Sequence, residues 1–586
     1  MYKKTIKRIN YLFTYFHAGK KFSFLFFLMI TASLSEVVGL GSLVPFLIAL
    51  SDPQKLYDFR YLAKFVEIFN IQNSVQLTLI LTIVFCLVAI LSGLLRIYLT
   101  YATTKFCFSM GSRISSEIYK NLLCQPYEFH IQKNSSDLIS IISNKSAIVV
   151  DGLLIPALNI FSASTISIFI AATIIYISPL PAIAAFILFS TIYLTISSCS
   201  RVVLKKNSKK ISEQYFREMR DLHEGFGGIR DVILSGTQDI YVNRFSKSDA
   251  IRREAQAANT FIGIYPRFAI EYLCLVVVAA LAYIMSYDDQ GVVGIIPTLG
   301  IIALGGQKLL PAMQQIYYGI SSIRGSSSSL DDVFEHLDKP QAGILSDCNN
   351  LEKLRFTSEI VLNEVEYHYP NRSKPCLYGI NLVIKKGSRL GIIGETGSGK
   401  STLLDLCMQL LIPSGGSMKV DDVLVTKENS AKLQNIIAHV PQFIYLADAS
   451  IAENIAFGVP LLDIDLCLLN KVIDAANLKA LINDLPEGYL SQVGERGSAL
   501  SGGQIQRIGI ARALYRKSEI LILDEATSAL DSLNESKILE SIDALGLNIT
   551  IIMVAHRLTS LKGCSQIIEL GEGTIRRVIS YSDLMK

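Results

Sequence analysis

Charge is scarce in this 586-residue chain. Asp, Glu, Lys and Arg together make up 18% of it, against 50% hydrophobic residues and a mean hydropathy of +0.39. Soluble domains carry about a quarter of their residues as charges, so the composition speaks against a wholly soluble protein. A large charge excess is missing too. The net charge of +4 is small for this length and gives no reason to expect a nucleic-acid partner. No C-x-x-C pair occurs among the ten cysteines, which removes the usual signature of a metal or redox site. Cys86, Cys199 and Cys274 lie inside apolar runs and read as small buried hydrophobes in a reducing compartment. The basic N-terminus, MYKKTIKRIN, leads into an apolar run that no small-residue cleavage site follows. That run is expected to be a retained span, not a removed signal peptide.

Long apolar runs are what the chain has. A bilayer-crossing helix needs roughly 20 mostly apolar residues. Six runs qualify, at 23–50, 76–104, 148–178, 180–200, 259–286 and 292–319. Lys3, Lys4, Lys7, Arg8, Lys20 and Lys21 precede the first, and segments 105–147 and 201–258 are also rich in Lys and Arg. The positive-inside rule therefore places the N-terminus, both basic segments and everything after the sixth run in the cytoplasm. Segment 51–74 is then external, and its apolar spacing (Leu56, Phe59, Leu62, Phe65, Phe69) predicts a short helix at the membrane surface. The two basic segments read as helical extensions of the flanking spans. Each is broken near its middle, at QPYEFHIQKN (125–134) and GFGGIRD (225–231), where short contact helices are expected to reach a cytoplasmic domain. A polar, Ser-rich stretch at 326–357 reads as a linker. The sequence thus divides into a six-helix membrane domain (1–325), that linker, and an α/β domain around a parallel sheet (358–586).

The second half carries the chemistry. RLGIIGETGSGKSTLLDL (389–406) holds Gly394, Glu395, Thr396, Gly397, Ser398, Gly399, Lys400, Ser401 and Thr402 in the G-x-x-x-x-G-K-[ST] pattern. An apolar strand enters it and an apolar-periodic helix leaves. Glycines let backbone N–H groups close around phosphates, and the helix N-terminus favours the anion. Lys400 is then placed for the outer phosphates and Ser401 for Mg²⁺. EILILDEATSALD (519–531) is an apolar strand ending in Asp524, suited to Mg²⁺, and Glu525, suited to act as general base toward water. TIIMVAHR (550–557) delivers His556 toward the same sheet edge, and HVPQ (439–442) offers Gln442 to the metal and the attacking water. LSGGQIQRIGIARAL (500–514) opens a helix on Ser501, Gly502, Gly503 and Gln504. Two glycines in a first turn lower helix propensity. With one phosphate loop already present, this second anion site is expected to complete the nucleotide pocket of a partner domain.

In this order the motifs resemble the nucleotide-binding domain of ABC transporters. The resemblance covers 358–586, including the GERG stretch at 494–497, the SALD loop at 528–531 and Tyr369 as the aromatic that stacks on adenine. It implies a dimer of identical subunits with two composite sites, use of ATP with Mg²⁺, and ATP hydrolysis coupled to transport. Six spans preceding such a domain resemble the exporter type. The run LSEVVGLGSLVPFLIAL, with Glu36, is similar to lipid-linked oligosaccharide flippases of the PglK type. No cysteine-protease segment precedes the spans, which speaks against a cargo-cleaving peptide exporter.

Charged residues near the spans are the hint of cargo: Glu36, Arg96, Arg267 and Lys308. Facing a cavity, the cations suit an anionic head such as a lipid pyrophosphate. Glu271 lies four residues after Arg267, so a structural ion pair is the alternative there. The expectation is an ATP-driven flippase for a lipid-linked oligosaccharide or polysaccharide precursor in a bacterial inner membrane. A lipid or multidrug exporter and a non-transporting ABC ATPase are the alternatives.

Overall fold

A computed structural model describes residues 2–51, 74–177, 179–285, 291–338, 354–370, 374–525, 540, 549–555 and 557–584. The chain forms two compact units. One comprises residues 1–123 and 133–340, the other 124–132 and 341–586.

The first unit is helical. Six long helices carry the six apolar runs: α1 (Gly19–Ser51), α2 (Ser74–Leu123), α3 (Ile155–Ile177), α4 (Pro179–Gly227), α5 (Gln238–Met285) and α6 (Gly291–Gly325). Among the described residues, Gly19–Gly39, Gln76–Leu123 and Ser135–Thr173 are long and apolar enough to cross a membrane. α2, α4 and α5 hold 50, 49 and 48 residues. At 1.5 Å per residue each runs about 70–75 Å, more than twice the roughly 30 Å hydrocarbon core. Their basic halves therefore extend beyond the membrane as helix, as the charge pattern predicts. α1 packs on α2, α3 on α6, and α4 on α5. Small residues permit close approach. A Cβ at Gly319 of α6 would lie 2.7 Å from Ile160 of α3. Two π-helical turns, Ile141–Lys145 and Val150–Leu154, lead into α3.

Two expectations need correction. Cys86 and Cys199 are exposed, not buried. Lipid solvates an apolar helix face as well as protein does, so an apolar run does not require protein contact. The expected linker also begins too early. Residues Ser327–Leu337 form a helix whose Leu330, Val333, Phe334 and Leu337 are buried. These positions follow the i, i+3, i+4, i+7 pattern of an amphipathic helix, which the serines masked. Asp331 pairs with Arg8, and Asp332 pairs with the buried Lys145, whose Nζ also donates to Ser212 Oγ (3.1 Å). The expected external helix within 51–74 falls on residues 52–73, outside the described residues.

The second unit is α/β. An antiparallel sheet combines β1 (Glu359–Tyr367), β2 (Leu377–Lys385), β4 (Gly415–Val420) and β5 (Val423–Leu424) in the order β2-β1-β4-β5. The larger sheet runs β10-β9-β3-β8-β7-β6, from β3 (Arg389–Gly394), β6 (Ile437–Val440), β7 (Ile520–Asp524), β8 (Thr550–Val554), β9 (Gln566–Gly571) and β10 (Thr574–Ile579). Every pair in it is parallel except β9–β10. β8 is buried at all five residues and β7 at its first four, as expected of central parallel strands covered on both faces. Each buried Ile or Leu there contributes about 1.5–3 kcal/mol. The antiparallel sheet was not predicted. The short helix Tyr127–Gln132, the first expected contact helix, groups with this unit.

Candidate functional site

Parallel pairing brings the chemistry to one edge. Ile392 of β3 and Asp524 of β7 both register with Val554 of β8, and Val440 of β6 registers with Leu523. The residues just past these strand ends are the phosphate loop, Glu525, Ala555 and Gln442. Gln442 Nε2 donates to Glu525 Oε2 at 2.8 Å. Two residues 83 positions apart in sequence therefore meet where both were expected to act on water. Glu525 holds a left-handed backbone at φ 50°, and its N–H donates to the Val554 carbonyl (3.2 Å). A non-glycine residue at positive φ is held there only by strong surroundings. His556 lies outside the described residues, as does the SALD loop.

The phosphate loop connects β3 to α7 (Lys400–Cys407). Gly394 and Gly399 both take positive φ. A Cβ at Gly394 would lie 2.2 Å from the Leu570 carbonyl oxygen, and one at Gly399 would lie 2.7 Å from Leu377. Both positions exclude any side chain. Lys400 is buried, and its Nζ donates to the carbonyls of Gly394 (2.7 Å) and Glu395 (2.9 Å). Ser398 Oγ is buried without a partner inside the same loop. Glu395, Thr396, Gly397 and Ser401 are exposed. A glycine-lined cradle with a buried lysine and an orphan hydroxyl fits a polyphosphate. Asp524 is pushed above the usual carboxylate range by burial and by Glu525, and Lys400 opposes this. Sequence reading passed over Asp405 of α7. Burial and the charge of Asp524 push it up to about 6. A lone Asp five residues after the loop lysine carries no motif that would have revealed it.

Tyr369 is half-buried and packs edge-on against Tyr367, centroids 5.0 Å apart. Its hydroxyl lies 3.2 Å from Thr402 Oγ1, which also meets Cys376 Sγ at 3.4 Å. Thr402 is buried and positions the tyrosine, a role the motif alone does not show. Tyr367 is fully buried and donates to Glu128 Oε1 of the helix Tyr127–Gln132 at 2.8 Å. A contact helix was expected here, but its partner was not.

Ser501 caps α8 (Gly502–Tyr515). Its Oγ accepts from Gln504 N (3.4 Å), and its N–H donates to Gln504 Oε1 (2.7 Å). Among the described residues, no hydrogen bond joins Ser501–Gln504 to the phosphate loop.

In the helical unit a cavity of about 180 Å³ is lined by Glu36, Arg96, Thr100, Thr103, Asn159 and Gln315, with apolar neighbours. Arg96 pairs with Glu36. Thr103 Oγ1 is buried there without a partner. Arg267 Nε lies 3.8 Å from Glu271 Oε2, the structural alternative considered above, and is not among the lining residues. The Lys308 side chain lies outside the described residues.

Comparison with known proteins decides the family. The ABC transporter family model matches residues 377–528, and the ABC transporter transmembrane region matches residues 22–304. The chain belongs to the ABC transporters. The membrane region precedes the ATPase domain, the exporter layout. Among relatives, it is 29% identical over 372 residues to the ATP-dependent lipid A-core flippase of Cupriavidus pinatubonensis, covering 62% of this chain and 61% of that one. It is 27% identical over 531 residues to the ATP-dependent lipid A-core flippase of Shewanella frigidimarina, covering 88% and 85%. It is 28% identical over 540 residues to ABC transporter B family member 1 of Dictyostelium discoideum, covering 88% of this chain and 56% of that one. The chain thus spans less than two thirds of the Cupriavidus and Dictyostelium relatives. A bacterial Atm1-family ABC exporter with ATP bound superposes with a TM-score of 0.79 over 97% of this chain and 96% of that one, at 20% identity, and so shares the fold. The C-terminal domain of this chain is accordingly an ABC-type ATPase domain, which uses ATP with Mg²⁺.

Proposed function

We propose that this ABC exporter hydrolyses ATP to move a lipid-type cargo across a bacterial inner membrane as a homodimer. The observation that carries the reading is the Gln442–Glu525 hydrogen bond at the sheet edge that also holds Lys400 and Asp524. Ser401, Gln442 and Asp524 would hold Mg²⁺ through their oxygens, and the ion would supply neutralisation of phosphate charge. Lys400 holds the outer phosphates. Glu525 takes the proton of the attacking water, oriented by Gln442. His556 contacts the terminal phosphate in this account. Ser501–Gln504 serve the partner's nucleotide, so two subunits form two composite sites. The second broken segment gives the helix Ile229–Ser235, where Ile229, Ile233 and Leu234 are exposed. An exposed apolar face suits a contact with the partner subunit.

For the cargo, the lipid A-core flippase relatives favour a glycolipid, and a lipid-linked oligosaccharide or polysaccharide precursor is our first reading. The polar cavity wall of Thr100, Thr103, Asn159 and Gln315 suits hydroxyl-rich groups. One observation favours the lipid or multidrug alternative. Arg96 and Arg267 are each matched with a glutamate, so neither is a bare cation awaiting a pyrophosphate. ATPase stimulation of the purified protein by lipid-linked sugars, against a panel of apolar drugs, separates the two. Stimulation by the sugars alone supports the first reading, and stimulation by drugs alone removes it.

A further inference from the structure

A second concavity in the helical unit lies between the basic N-terminal turns of α1 and residues 98–113 of α2. It encloses about 480 Å³. Its floor is apolar and buried, from Leu25, Phe106 and Met110, and its walls include the exposed rings of Tyr98 and Tyr101. Four cations stand on its rim: Lys20, Lys21, Lys105 and Arg113. No acidic residue lines it, and among the described residues no carboxylate pairs with any of the four. Lys105 Nζ donates to Tyr101 OH at 3.4 Å and sits 5.6 Å from that ring's centroid, so its charge stays over the groove. Arg113 commits one N–H to the Phe16 carbonyl (3.4 Å) and keeps the others.

We propose that this groove is a binding site for an anionic phospholipid of the cytoplasmic leaflet. The reasoning is one of matched polarity. Lys20 and Lys21 come just before the first span, and Lys105 and Arg113 just after the second. The positive-inside rule sets that boundary at the cytoplasmic surface. An apolar floor ending in uncompensated cations matches acyl chain and phosphate at the same depth. A snorkelling lysine on a convex helix face would need no concavity. Basic pockets between helices at this surface hold anionic headgroups by such a combination, each cation adding favourable energy near the surface. A soluble phosphate would leave the aromatic walls and floor unused.

The test uses the full chain in detergent, titrated with phosphatidylglycerol or with phosphatidylcholine of the same acyl chains, with bound lipid counted by native mass spectrometry. The wild type is expected to retain phosphatidylglycerol preferentially. The combined Lys20→Gln, Lys21→Gln, Lys105→Gln variant should bind it on the order of a hundredfold more weakly, with phosphatidylcholine unaffected. The matching triple Lys→Arg variant should keep the preference, which separates loss of charge from loss of fold. Equal retention of both lipids by the wild type, or an unchanged preference in the Gln variant, overturns the proposal. Displacement of the lipid by glycerol 3-phosphate at equal concentration also overturns it, since the site would then be one for soluble phosphates. A photo-crosslinking side chain at Tyr101 should label lipid, and labelling of a second copy of the chain instead would reassign the groove to the dimer interface.

Discussion

At the residue scale the ATPase site rests on a few positions whose backbone admits no alternative. Gly394 and Gly399 were readable in the sequence because a phosphate loop needs backbone where side chains cannot fit. Glu525 was readable as a strand-end acid, but not its left-handed backbone or its bond to Gln442, which depend on β6 and β7 being neighbours. Thr402 was grouped with the nucleotide ligands, whereas its hydroxyl is engaged with Tyr369 and Cys376. Glu525→Gln should bind ATP normally and lower hydrolysis roughly 10²–10⁴-fold, the usual contribution of a general base. Near-normal turnover would reject that role. Lys400→Ala removes a charged donor and should weaken ATP binding roughly tenfold to a hundredfold, read by nucleotide titration. His439 gives a pH prediction. Burial holds it down at about 4, below the ordinary 6.5, and its Nε2 is buried without a partner. Below pH 6.5 the unfolded chain binds a proton that the folded one refuses. Stability is therefore lost as pH falls from about 6.5 toward 4, at most by about 1.4 kcal/mol per unit. His439→Gln should flatten that part of the thermal-stability profile of the full chain.

Elements show where sequence patterns mislead. The six long helices and the helical extensions of three of them were legible because apolar length and Lys/Arg placement are direct physical requirements of a bilayer. The helix Ser327–Leu337 was missed because its first residues are serines, although Leu330, Val333, Phe334 and Leu337 already carried the period. Its anchoring depends on an ion pair at the buried Lys145. Asp332→Ala would leave that ammonium without its carboxylate, and breaking a buried pair this way costs about 3–5 kcal/mol. A substantial fall in melting temperature should follow. The contact helix Tyr127–Gln132 was foreseen from Pro126 and the change in pattern. The Tyr367–Glu128 bond was not, since nothing local marks a tyrosine on β1 as the partner. It links the helix to the same β1 segment that leads to Tyr369. Tyr367→Phe should therefore leave basal ATP hydrolysis near normal while lowering its stimulation by cargo. Unchanged stimulation would show the bond to be structural only.

For the whole molecule, the dimer is the claim that residues imply but one chain cannot display. If Ser501–Gln504 complete the partner's site, lesions placed in trans and in cis behave oppositely. A mixed dimer with Lys400→Ala in one copy and Ser501→Arg in the other would keep one intact composite site and retain hydrolysis. Both lesions in one copy, beside a wild-type copy, would leave none. The reverse pattern would mean that each domain works alone. Cargo was the least legible property, because apolar spans resemble one another and the pairing of Arg96 with Glu36, 60 positions away, has no local signal. The most direct test of ATP-driven export is movement itself. Proteoliposomes carrying the wild type should translocate a labelled glycolipid only with ATP, and those carrying Glu525→Gln should not. Equal movement without ATP or in that variant, or no ATP-dependent movement of any lipid offered, would contradict the account.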